Sequence, residues 1–407
     1  MKKIILTFTI VFFTLIYSCS NVNEPEEKEI PEIKDPYPGL SISESGDFLL
    51  NEEIFYGIGV NYFNAFIRTL EKESYEDTSY KVGFAYLKER KIPFIRFALN
   101  GYWPKNWDLY LDDPGKFYQN LDAFVDAAEE YGIGLIPSFY WHNPTLPDLV
   151  GESVNQWGNV NSQTHALMRK FTREVVTRYR NSEAIWGWEL GNEFNLLVDL
   201  PGDNSNLPPV VPSLGTPSSR TKDDKLCTSD LIVLARSFAN EVRKHDHSRI
   251  IISGNAIPRH AAWNLRQNGQ WTADTKDQFI KILGAQNPDP IDNLSVHIYP
   301  SAPTEGYFKD ERVDMDGLIK ACMDASRTYN KPLFLGEWGA QEAIYNDETR
   351  EKFIEILTAI ETNDVPLSAM WVFDYPPHDT EEGINVSPDN GPREYMLQEI
   401  MKVNERM

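Results

Sequence analysis

The segment 185–193 reads Ile-Trp-Gly-Trp-Glu-Leu-Gly-Asn-Glu and is the most informative part of the chain. It is almost continuously apolar, and it ends in two polar residues, Asn192 and Glu193. Such near-continuous apolar runs are typical of parallel strands that helices cover, whereas half-exposed strands alternate between apolar and polar residues. The segment therefore predicts a buried parallel strand that presents Glu193 at its carboxyl end.

Seven further runs of this kind occur along the chain, separated by amphipathic stretches. The eight predicted strands are Phe55–Asn61, Phe94–Leu99, Gly134–Tyr140, Ile185–Asn192, Ile250–Asn255, Leu294–Pro300, Leu333–Gly339 and Ala369–Tyr375. Between them, apolar residues recur on one helical face, as in Leu231, Ala235, Phe238 and Val242. Eight strands alternating with helices indicate an α/β fold, a (β/α)8 TIM barrel, more than an open doubly wound sheet. No GxGxxG or phosphate-binding loop follows the first strand, which weakens a nucleotide-binding alternative.

Composition narrows the classes of partner. The chain has 407 residues, 41% of them hydrophobic, which suffices for one large barrel domain at 39–407. Its formal net charge of -22 repels phosphate backbones and anionic lipid headgroups. We therefore expect no nucleic acid partner and no membrane binding through a basic patch. An acidic surface is compatible with a neutral substrate.

The first 38 residues predict a targeting segment. Lys2 and Lys3 precede an apolar stretch, residues 4–16, that is too short to span a bilayer and has the length of a signal-peptide core. We predict a signal peptide at 1–18, a lipid-modified Cys19 in a sequence that resembles a bacterial lipobox, and a disordered acidic tether at 19–38. Because Ser20 rather than Asp follows the cysteine, the expected location is the outer membrane or cell surface.

Polar side chains at the carboxyl ends of barrel strands converge on one cleft. These positions hold Asn61, Arg96, His142, Asn192, Glu193, Asn255, His297, Tyr299, Glu337, Trp371 and Asp374. Glu193 follows the fourth strand, and Glu337 ends the seventh within Leu-Phe-Leu-Gly-Glu-Trp-Gly. Cleavage of a glycosidic bond needs two carboxyl groups, one to protonate the leaving oxygen and one to attack or to activate water. A single strand-end glutamate could simply pair with an arginine, but two of them in this setting predict a catalytic pair.

These motifs resemble glycoside hydrolase family 5, a family of retaining barrel enzymes that includes cellulases and mannanases. The resemblance spans roughly residues 50–400 and rests mainly on Asn192-Glu193 and on Gly336-Glu337-Trp338-Gly339. It implies that Glu193 is the acid/base and Glu337 the nucleophile of a double displacement on β-linked glycans. One departure is Phe194, which stands where the family usually has proline; it leaves the subfamily and the substrate open.

The resemblance also implies the roles of further residues. Asn192 would bind the sugar 2-hydroxyl, Arg96 would keep the nucleophile ionised, and Tyr299, in a His-x-Tyr motif with His297, would donate to the nucleophile. Trp371 would stack under the sugar being cleaved, and His142 would bind substrate. With a cation and a hydroxyl beside it, Glu337 should be ionised, while Glu193 should be protonated.

Aromatic residues are frequent in the segments that follow the strands. They are Tyr102, Trp103, Trp107, Tyr140, Trp141, Trp157 and Trp263. Because sugar rings stack their apolar faces on indoles, we predict that about half of this set, Trp103 and Trp263 among them, contact substrate. Trp186 and Trp188 lie within a predicted strand and are expected in the core. The insertion Val198–Arg220 should lie on the same rim.

Two alternatives remain open at this point. A non-catalytic glycan-binding lipoprotein would be expected to lack one of the glutamates, and both are present. A metal-dependent hydrolase would need a ligand cluster at the strand ends; the densest one, His245, Asp246 and His247, precedes a strand and so lies at the opposite end. We expect no metal and no cofactor. The sequence leaves open glucan against mannan, endo against exo cleavage, the oligomeric state, and whether Cys227 pairs with Cys322.

Overall fold

The computed structural model describes residues 39–202, 205–299, 306–340, 347–379, 384–389 and 391–407. Its strands are β1 (Leu40–Ile42), β2 (Phe48–Leu50), β3 (Glu53–Ile54), β4 (Gly57–Asn61), β5 (Phe94–Ala98), β6 (Gly134–Tyr140), β7 (Gly187–Gly191), β8 (Ile250–Ile252), β9 (Leu294–Ile298), β10 (Leu333–Trp338) and β11 (Leu367–Met370). Its α-helices are α1 (Tyr80–Glu89), α2 (Asp108–Asp112), α3 (Pro114–Tyr131), α4 (Thr145–Val150), α5 (Gln163–Tyr179), α6 (Thr228–Arg243), α7 (Ala262–Asn268), α8 (Lys276–Gln286), α9 (Met315–Tyr329), α10 (Asp347–Thr362) and α11 (Glu394–Asn404).

Strands β4 to β11 form one parallel sheet in the order β8-β7-β6-β5-β4-β11-β10-β9. The first barrel strand, β4, pairs with the last, β11, as a barrel requires. Between β8 and β9 the ring is joined by hydrogen bonds whose donors lie outside the strands: the Ile257 N–H donates to the His297 carbonyl at 3.3 Å, and the Asp292 N–H to the Ile251 carbonyl at 3.0 Å. The predicted (β/α)8 barrel is confirmed, except that β8 and β9 do not pair as strands.

The apolar pattern of the sequence explains the layers. All residues of the eight barrel strands are buried, so both sheet faces are covered. On α6, the predicted face of Leu231, Ala235, Phe238 and Val242 is buried against the sheet at no more than 1% exposure. Removing a leucine, phenylalanine or valine side chain of this face from water contributes roughly 1.5–3 kcal/mol.

Two strands end earlier than the sequence predicts. The eighth, predicted as Ala369–Tyr375, is Leu367–Met370, because the chain then leaves the ladder: the Trp371 N–H donates to the Trp338 carbonyl, and Asp374 takes a left-handed φ of 52°. The fifth, predicted to reach Asn255, ends at Ile252, just before Gly254 turns with φ 69°. The other predicted ends match or differ by at most two residues, as strand ends commonly do.

A small antiparallel sheet, β1-β2-β3, covers the other end of the barrel. Leu40 and Phe48 are fully buried in a cluster with Phe94 and Trp186, residues at the amino-terminal side of the barrel strands. The sequence analysis did not predict these three strands, since each has only two or three residues. They close the end of the barrel opposite to Glu193.

Several sequence predictions concern the chain termini and the cysteines. The predicted signal peptide, Cys19 and the tether lie outside the described residues. Among the helices that the structure describes, none combines the length and apolar character needed to cross a membrane. Cys227 is partly exposed and Cys322 is buried, and both are free thiols, so they do not pair with each other.

Candidate active site

The two glutamates singled out in the sequence lie together at the carboxyl ends of the barrel strands. Glu193 follows β7, and Glu337 is the fifth residue of β10. A carboxylate oxygen of one lies within 4.8 Å of a carboxylate oxygen of the other. The Glu193 side chain is 30% exposed and that of Glu337 only 6%, so the first opens to solvent and the second lies deeper.

Arg96 of β5 donates hydrogen bonds to Glu337 and to two asparagines. Its Nη1 donates to Glu337 Oε1 at 2.7 Å and to Asn61 Oδ1 at 2.9 Å, and its Nη2 donates to Asn192 Oδ1 at 2.8 Å. The side chain is fully buried. Burial acts to lower the pKa of Arg96, but Glu189 and Glu337 raise it above its usual value, so the guanidinium stays charged. One fixed cation therefore orients the nucleophile candidate and the amide beside the acid candidate.

Glu189 completes this cluster, and the sequence analysis did not single it out. Its two carboxylate oxygens accept from Arg96 Nε at 2.8 and 2.9 Å, and both side chains are fully buried. An acidic residue inside an apolar strand was a usable signal, because a buried charge needs an opposite charge beside it. Arg96, the only charged residue of predicted strand two, was the available partner.

His297 and Tyr299 contact the glutamates from the β9 side. His297 Nδ1 lies 3.0 Å from Glu193 Oε1 and 3.5 Å from Glu337 Oε1, and the Tyr299 hydroxyl donates to Glu337 Oε2 at 2.8 Å. Burial lowers the pKa of His297 to about 4, although Glu337 acts in the other direction. The imidazole is therefore neutral at neutral pH and bridges the two carboxyl groups without adding a charge.

Both carboxyl groups take up a proton more readily than an exposed glutamate. Burial raises the pKa of Glu193, and Arg96 and Arg259 offset this only in part. Burial also raises the pKa of Glu337, against His297, Arg96 and the hydrogen bond from Tyr299. The sequence reasoning counted the donors around Glu337 and omitted this burial. Donors still distinguish the two residues, because Arg96 and Tyr299 both donate to Glu337.

The backbone fixes the direction of Glu193. This residue takes the left-handed conformation, φ 55° and ψ 29°, which is costly for a residue with a side chain. Its N–H donates to the Gly254 carbonyl at 2.8 Å. Phe194, in the position of the family's usual proline, is buried and begins a 3-10 turn to Leu197. A buried ring thus anchors this turn.

A group of packed aromatic rings lies beside the glutamates. The Trp371 and Trp141 rings stack at 6.2 Å, and the guanidinium carbon of Arg96 lies 4.8 Å from the Trp141 ring centroid. The His142 ring stacks on Tyr102 at 3.8 Å, and burial lowers the pKa of His142 to about 3, which keeps it neutral. The ring of Trp103, a predicted sugar contact, packs edge-on against His142, with the two ring centroids 5.7 Å apart.

A cavity of about 430 Å³ adjoins Glu193. Besides Glu193, its lining includes Tyr102, Trp141, His142, Asn192 and Arg259. The predicted insertion after the fourth strand contributes residues 206–209 to the same lining, so it lies on this rim as expected. A buried ion pair between Arg220 and Asp148, at 2.6 and 2.7 Å, fixes the end of the insertion to α4.

Two predicted strand-end residues and one predicted sugar contact are not brought to the glutamates. Asn255 donates to the Gln286 carbonyl at 2.8 Å. Asp374 accepts from Arg68 at 3.1 Å. Trp263, a predicted sugar contact, lies on α7 with the Lys281 ammonium 5.9 Å from its ring centroid. Their positions after predicted strands placed all three at the carboxyl end of the barrel. Asn255 and Asp374 instead bind protein partners, and Trp263 does not line the cavity.

Three of the predicted rim aromatics belong to the core. Trp107, Tyr140 and Trp157 are each no more than 1% exposed. The Trp157 indole N–H donates to the Asn143 carbonyl at 2.7 Å. Trp186 and Trp188, expected in the core, are 9% and 0% exposed.

Only one group of residues in the described part of the chain could offer three ligands to a metal, and it is the site itself: Glu193, His297 and Glu337. The charged Arg96 guanidinium, 2.7 Å from Glu337, already neutralises this position and would repel a divalent cation. The cluster around Asp246 is structural, since this buried carboxylate accepts from Trp188 at 2.8 Å and from Arg249 at 2.9 Å.

Comparison with known proteins gives sequence matches to mannanases. Mannan endo-1,4-beta-mannosidase F of Aspergillus clavatus is 36% identical over 81 residues, which are 18% of each chain. Mannan endo-1,4-beta-mannosidase A of Hypocrea jecorina is 38% identical over 235 residues, 55% of this chain and 44% of that protein. The matches thus span less than half the length of either relative.

A structural match and a family model each cover most of the barrel. An endo-1,4-beta-mannanase from Rhizomucor miehei has a TM-score of 0.64 at 16% identity, over 91% of this chain and 100% of that one. At this identity the likeness shows the fold. A family model described as cellulase (glycosyl hydrolase family 5) matches residues 58–374. The chain therefore belongs to glycosyl hydrolase family 5.

Proposed function

We propose that this protein is a retaining glycosidase that cleaves β-1,4-linked glycans with Glu193 and Glu337. The observation that carries the proposal is the carboxylate pair, whose nearest oxygens lie within 4.8 Å. Retaining glycosidases place their carboxyl groups about 5–5.5 Å apart, whereas inverting ones need roughly 6.5–9.5 Å to admit a water. A pair this close supports direct attack by one carboxylate.

The first step uses Glu337 as nucleophile and Glu193 as acid. Glu337 forms a bond to the anomeric carbon while the glycosidic C–O bond breaks, and Glu193 transfers its proton to the departing oxygen. Arg96 and Tyr299 donate to Glu337 and stabilise its charged form. Glu193 has neither donor and retains the proton that the pair shares.

The second step reverses the roles. Once Glu337 is esterified it carries no charge, so the repulsion that favoured a proton on Glu193 disappears. Glu193 then takes a proton from water, the water oxygen attacks the anomeric carbon, and the ester bond breaks. Both glutamates return to their starting states.

Neighbouring residues supply sugar contacts. Because Asn192 Oδ1 accepts from Arg96, its amide NH2 remains to donate to a sugar hydroxyl, and the residue lines the cavity. Trp371 keeps 9% of its surface exposed beside the glutamates and can stack on the sugar being cleaved.

We propose that mannan is the polymer this enzyme prefers. Support comes from the names of the similar proteins in Aspergillus clavatus and Hypocrea jecorina, both mannan endo-1,4-beta-mannosidases. The test is release of reducing ends from β-mannan, cellulose and mixed-linkage β-glucan, with and without EDTA. We expect turnover of mannan that EDTA leaves unchanged and that Glu193→Gln and Glu337→Gln abolish. Binding without turnover would support the glycan-binding alternative, and loss of turnover with EDTA the metal-dependent one.

We also propose that lipid on Cys19 attaches the enzyme to the outer membrane or cell surface. The support is the signal-like sequence at 1–18 and the acidic, proline-containing residues after it. Cys19→Ser should release the protein without changing its specific activity, as measured by cell fractionation and metabolic labelling with a fatty acid. Wild-type protein recovered free, with its amino terminus elsewhere, would contradict the anchor.

A further inference from the structure

The indole N–H of Trp371 has a side-chain acceptor. Its Nε1 donates to Nδ1 of His378 at 3.1 Å. The two rings are tilted by 55°, and their centroids are 5.7 Å apart. Because Nδ1 accepts this hydrogen bond, the imidazole is the neutral tautomer that carries its proton on Nε2. His378 lies in a 3-10 turn, Pro376–Asp379, that follows the last barrel strand, and the sequence analysis did not single it out.

The other ring contacts of Trp371 do not determine the direction of its N–H. The indole stacks on Trp141 at 6.2 Å and packs beside Phe63 at 5.8 Å. Neither of these side chains carries a lone-pair acceptor, so they hold the ring without selecting its N–H edge. Trp371 is only 9% exposed, and a buried N–H that lacks an acceptor costs free energy. The orientation that points Nε1 at His378 is therefore favoured.

Hydrogen bonds fix the backbone around His378 on both sides. Its N–H donates to the Tyr375 carbonyl at 3.0 Å, and its own carbonyl accepts from the Ile384 N–H at 3.0 Å. The next residue, Asp379, accepts from Asn385 Nδ2 at 3.2 Å. The Tyr375 ring also packs edge-on against the imidazole, with centroids 4.8 Å apart. The acceptor for the indole N–H thus has a defined position.

We propose that His378 is a positioning residue, which sets the direction of the Trp371 ring by accepting from its N–H. The inference rests on the proposed function, in which the sugar being cleaved stacks on this ring. Stacking depends on the angle between the sugar and the indole, so a turned ring would bind that sugar less well. Because the same sugar is present whatever group departs, the effect should not depend on the leaving group.

Two variants of His378 separate its acceptor from its ring. His378→Asn keeps an acceptor, Oδ1, the same number of bonds from the backbone as Nδ1, whereas His378→Phe keeps a ring and loses the acceptor. We expect His378→Phe to lower kcat/KM roughly tenfold, the size expected when one buried donor loses its acceptor. His378→Asn should recover most of this loss. The factor should be the same on a β-1,4-linked hexasaccharide and on an activated aryl β-glycoside.

A double-mutant cycle with Trp371→Phe tests whether the effect passes through the indole N–H. Phenylalanine keeps an apolar ring but has no N–H, so His378→Phe should cause no further loss in this slower background. His378→Ala, which also lacks the acceptor, serves the same cycle if His378→Phe does not fold. His247→Asn, at an exposed position, should match the wild type in activity.

NMR of protein labelled at tryptophan reports on the hydrogen bond itself. The indole N–H resonance of Trp371, identified by its loss in Trp371→Phe, should shift in His378→Phe and return towards its wild-type position in His378→Asn. The resonance of Trp157, which donates to the Asn143 carbonyl, should stay in place and serves as the reference.

The outcomes separate this role from the function on which it rests. A His378→Phe protein as active as the wild type would overturn the role, and so would an undiminished loss in the Trp371→Phe background. A His378→Asn protein as slow as His378→Phe would show that the ring matters rather than the acceptor, which also overturns it. In each of these cases wild-type turnover still upholds the glycosidase. A wild-type protein inactive on both substrates would overturn the proposed function.

Discussion

The Glu189 carboxylate and the Arg96 guanidinium form a fully buried ion pair directly beneath the candidate catalytic glutamates. The same guanidinium contacts Glu337, so Glu189 can orient the proposed nucleophile through Arg96. A charge in this position is stable only while its partner is present, because neither group reaches water.

Replacement of Glu189 should therefore affect both stability and turnover. We expect Glu189→Ala to lower the free energy of unfolding by about 3–5 kcal/mol, the usual effect of leaving a buried charge unpaired. Glu189→Gln keeps the shape and should cost less, yet still lower kcat. Urea denaturation and initial rates measure the two effects. As a control, Glu361→Ala breaks an exposed pair with Arg406 and should change little. A stable, fully active Glu189→Ala protein would show that Arg96 needs no such partner.

Gly254 controls the backbone next to Glu193, the proposed acid. With φ 69°, it allows a close approach: an added Cβ would lie 1.7 Å from the Gly191 carbonyl oxygen, and the Gly254 carbonyl accepts from the Glu193 N–H. Gly254→Ala must displace the chain and should cost kcat at least tenfold as well as stability. Gly269 has φ 68° with no atom near its Cβ position, so Gly269→Ala isolates the backbone cost alone. Similar rates and melting temperatures for both variants would contradict this role.

His297 should make the protein lose stability in acid. Its pKa is about 4 in the folded protein, whereas an unfolded histidine has an ordinary value near 6.5. Between these pH values the unfolded chain binds a proton that the folded protein does not. The contribution of His297 to the free energy of unfolding should therefore fall by on the order of 3 kcal/mol as pH is lowered from about 6.5 to about 4, and it should be constant above that range.

Urea denaturation at pH 7, 5.5 and 4 checks this contribution by comparing the wild type with His297→Gln. The variant should be less sensitive to acid by roughly that amount, while His247→Gln, at an exposed position, should match the wild type. Parallel pH curves for the wild type and His297→Gln would show that this histidine is not kept neutral by burial.

The sequence predicted those parts of the molecule that follow from the spacing of apolar and polar residues along the chain. Apolar runs with polar ends located all eight barrel strands and brought Arg96, Asn192, Glu193, His297 and Glu337 to one place. Asn255 and Asp374 were misplaced because strands β8 and β11 end early, so later residues no longer follow the alternation of a strand. The strand period indicates a face only while the strand lasts.

Residues whose role depends on three-dimensional neighbours were harder to predict. Glu189 lies in a quoted strand, but its partner Arg96 is 93 residues away. Trp263 and Trp271 occur in one short segment, and only the fold shows that the second is the exposed one. The burial that raises the pKa of Glu337 is likewise a property of packing, which no single motif encodes.

Azide should separate the roles of the two glutamates. In Glu193→Ala, azide can attack the glycosyl-enzyme without a general base, so activity on an aryl glycoside should recover and yield a glycosyl azide of the substrate's anomeric form. In Glu337→Ala, azide replaces the nucleophile itself and should yield the inverted azide. Product analysis by NMR distinguishes the two. Exchange of these outcomes between the variants would reverse the assignment.

The anomeric configuration of the first product tests the two-glutamate mechanism most directly. Hydrolysis of a β-linked oligosaccharide can be followed by proton NMR from the first minutes, before the released hemiacetal equilibrates. A double displacement through Glu337 predicts that the β-anomer forms first and the α-anomer appears only by mutarotation. Initial formation of the α-anomer would show a single displacement by water and would contradict the account.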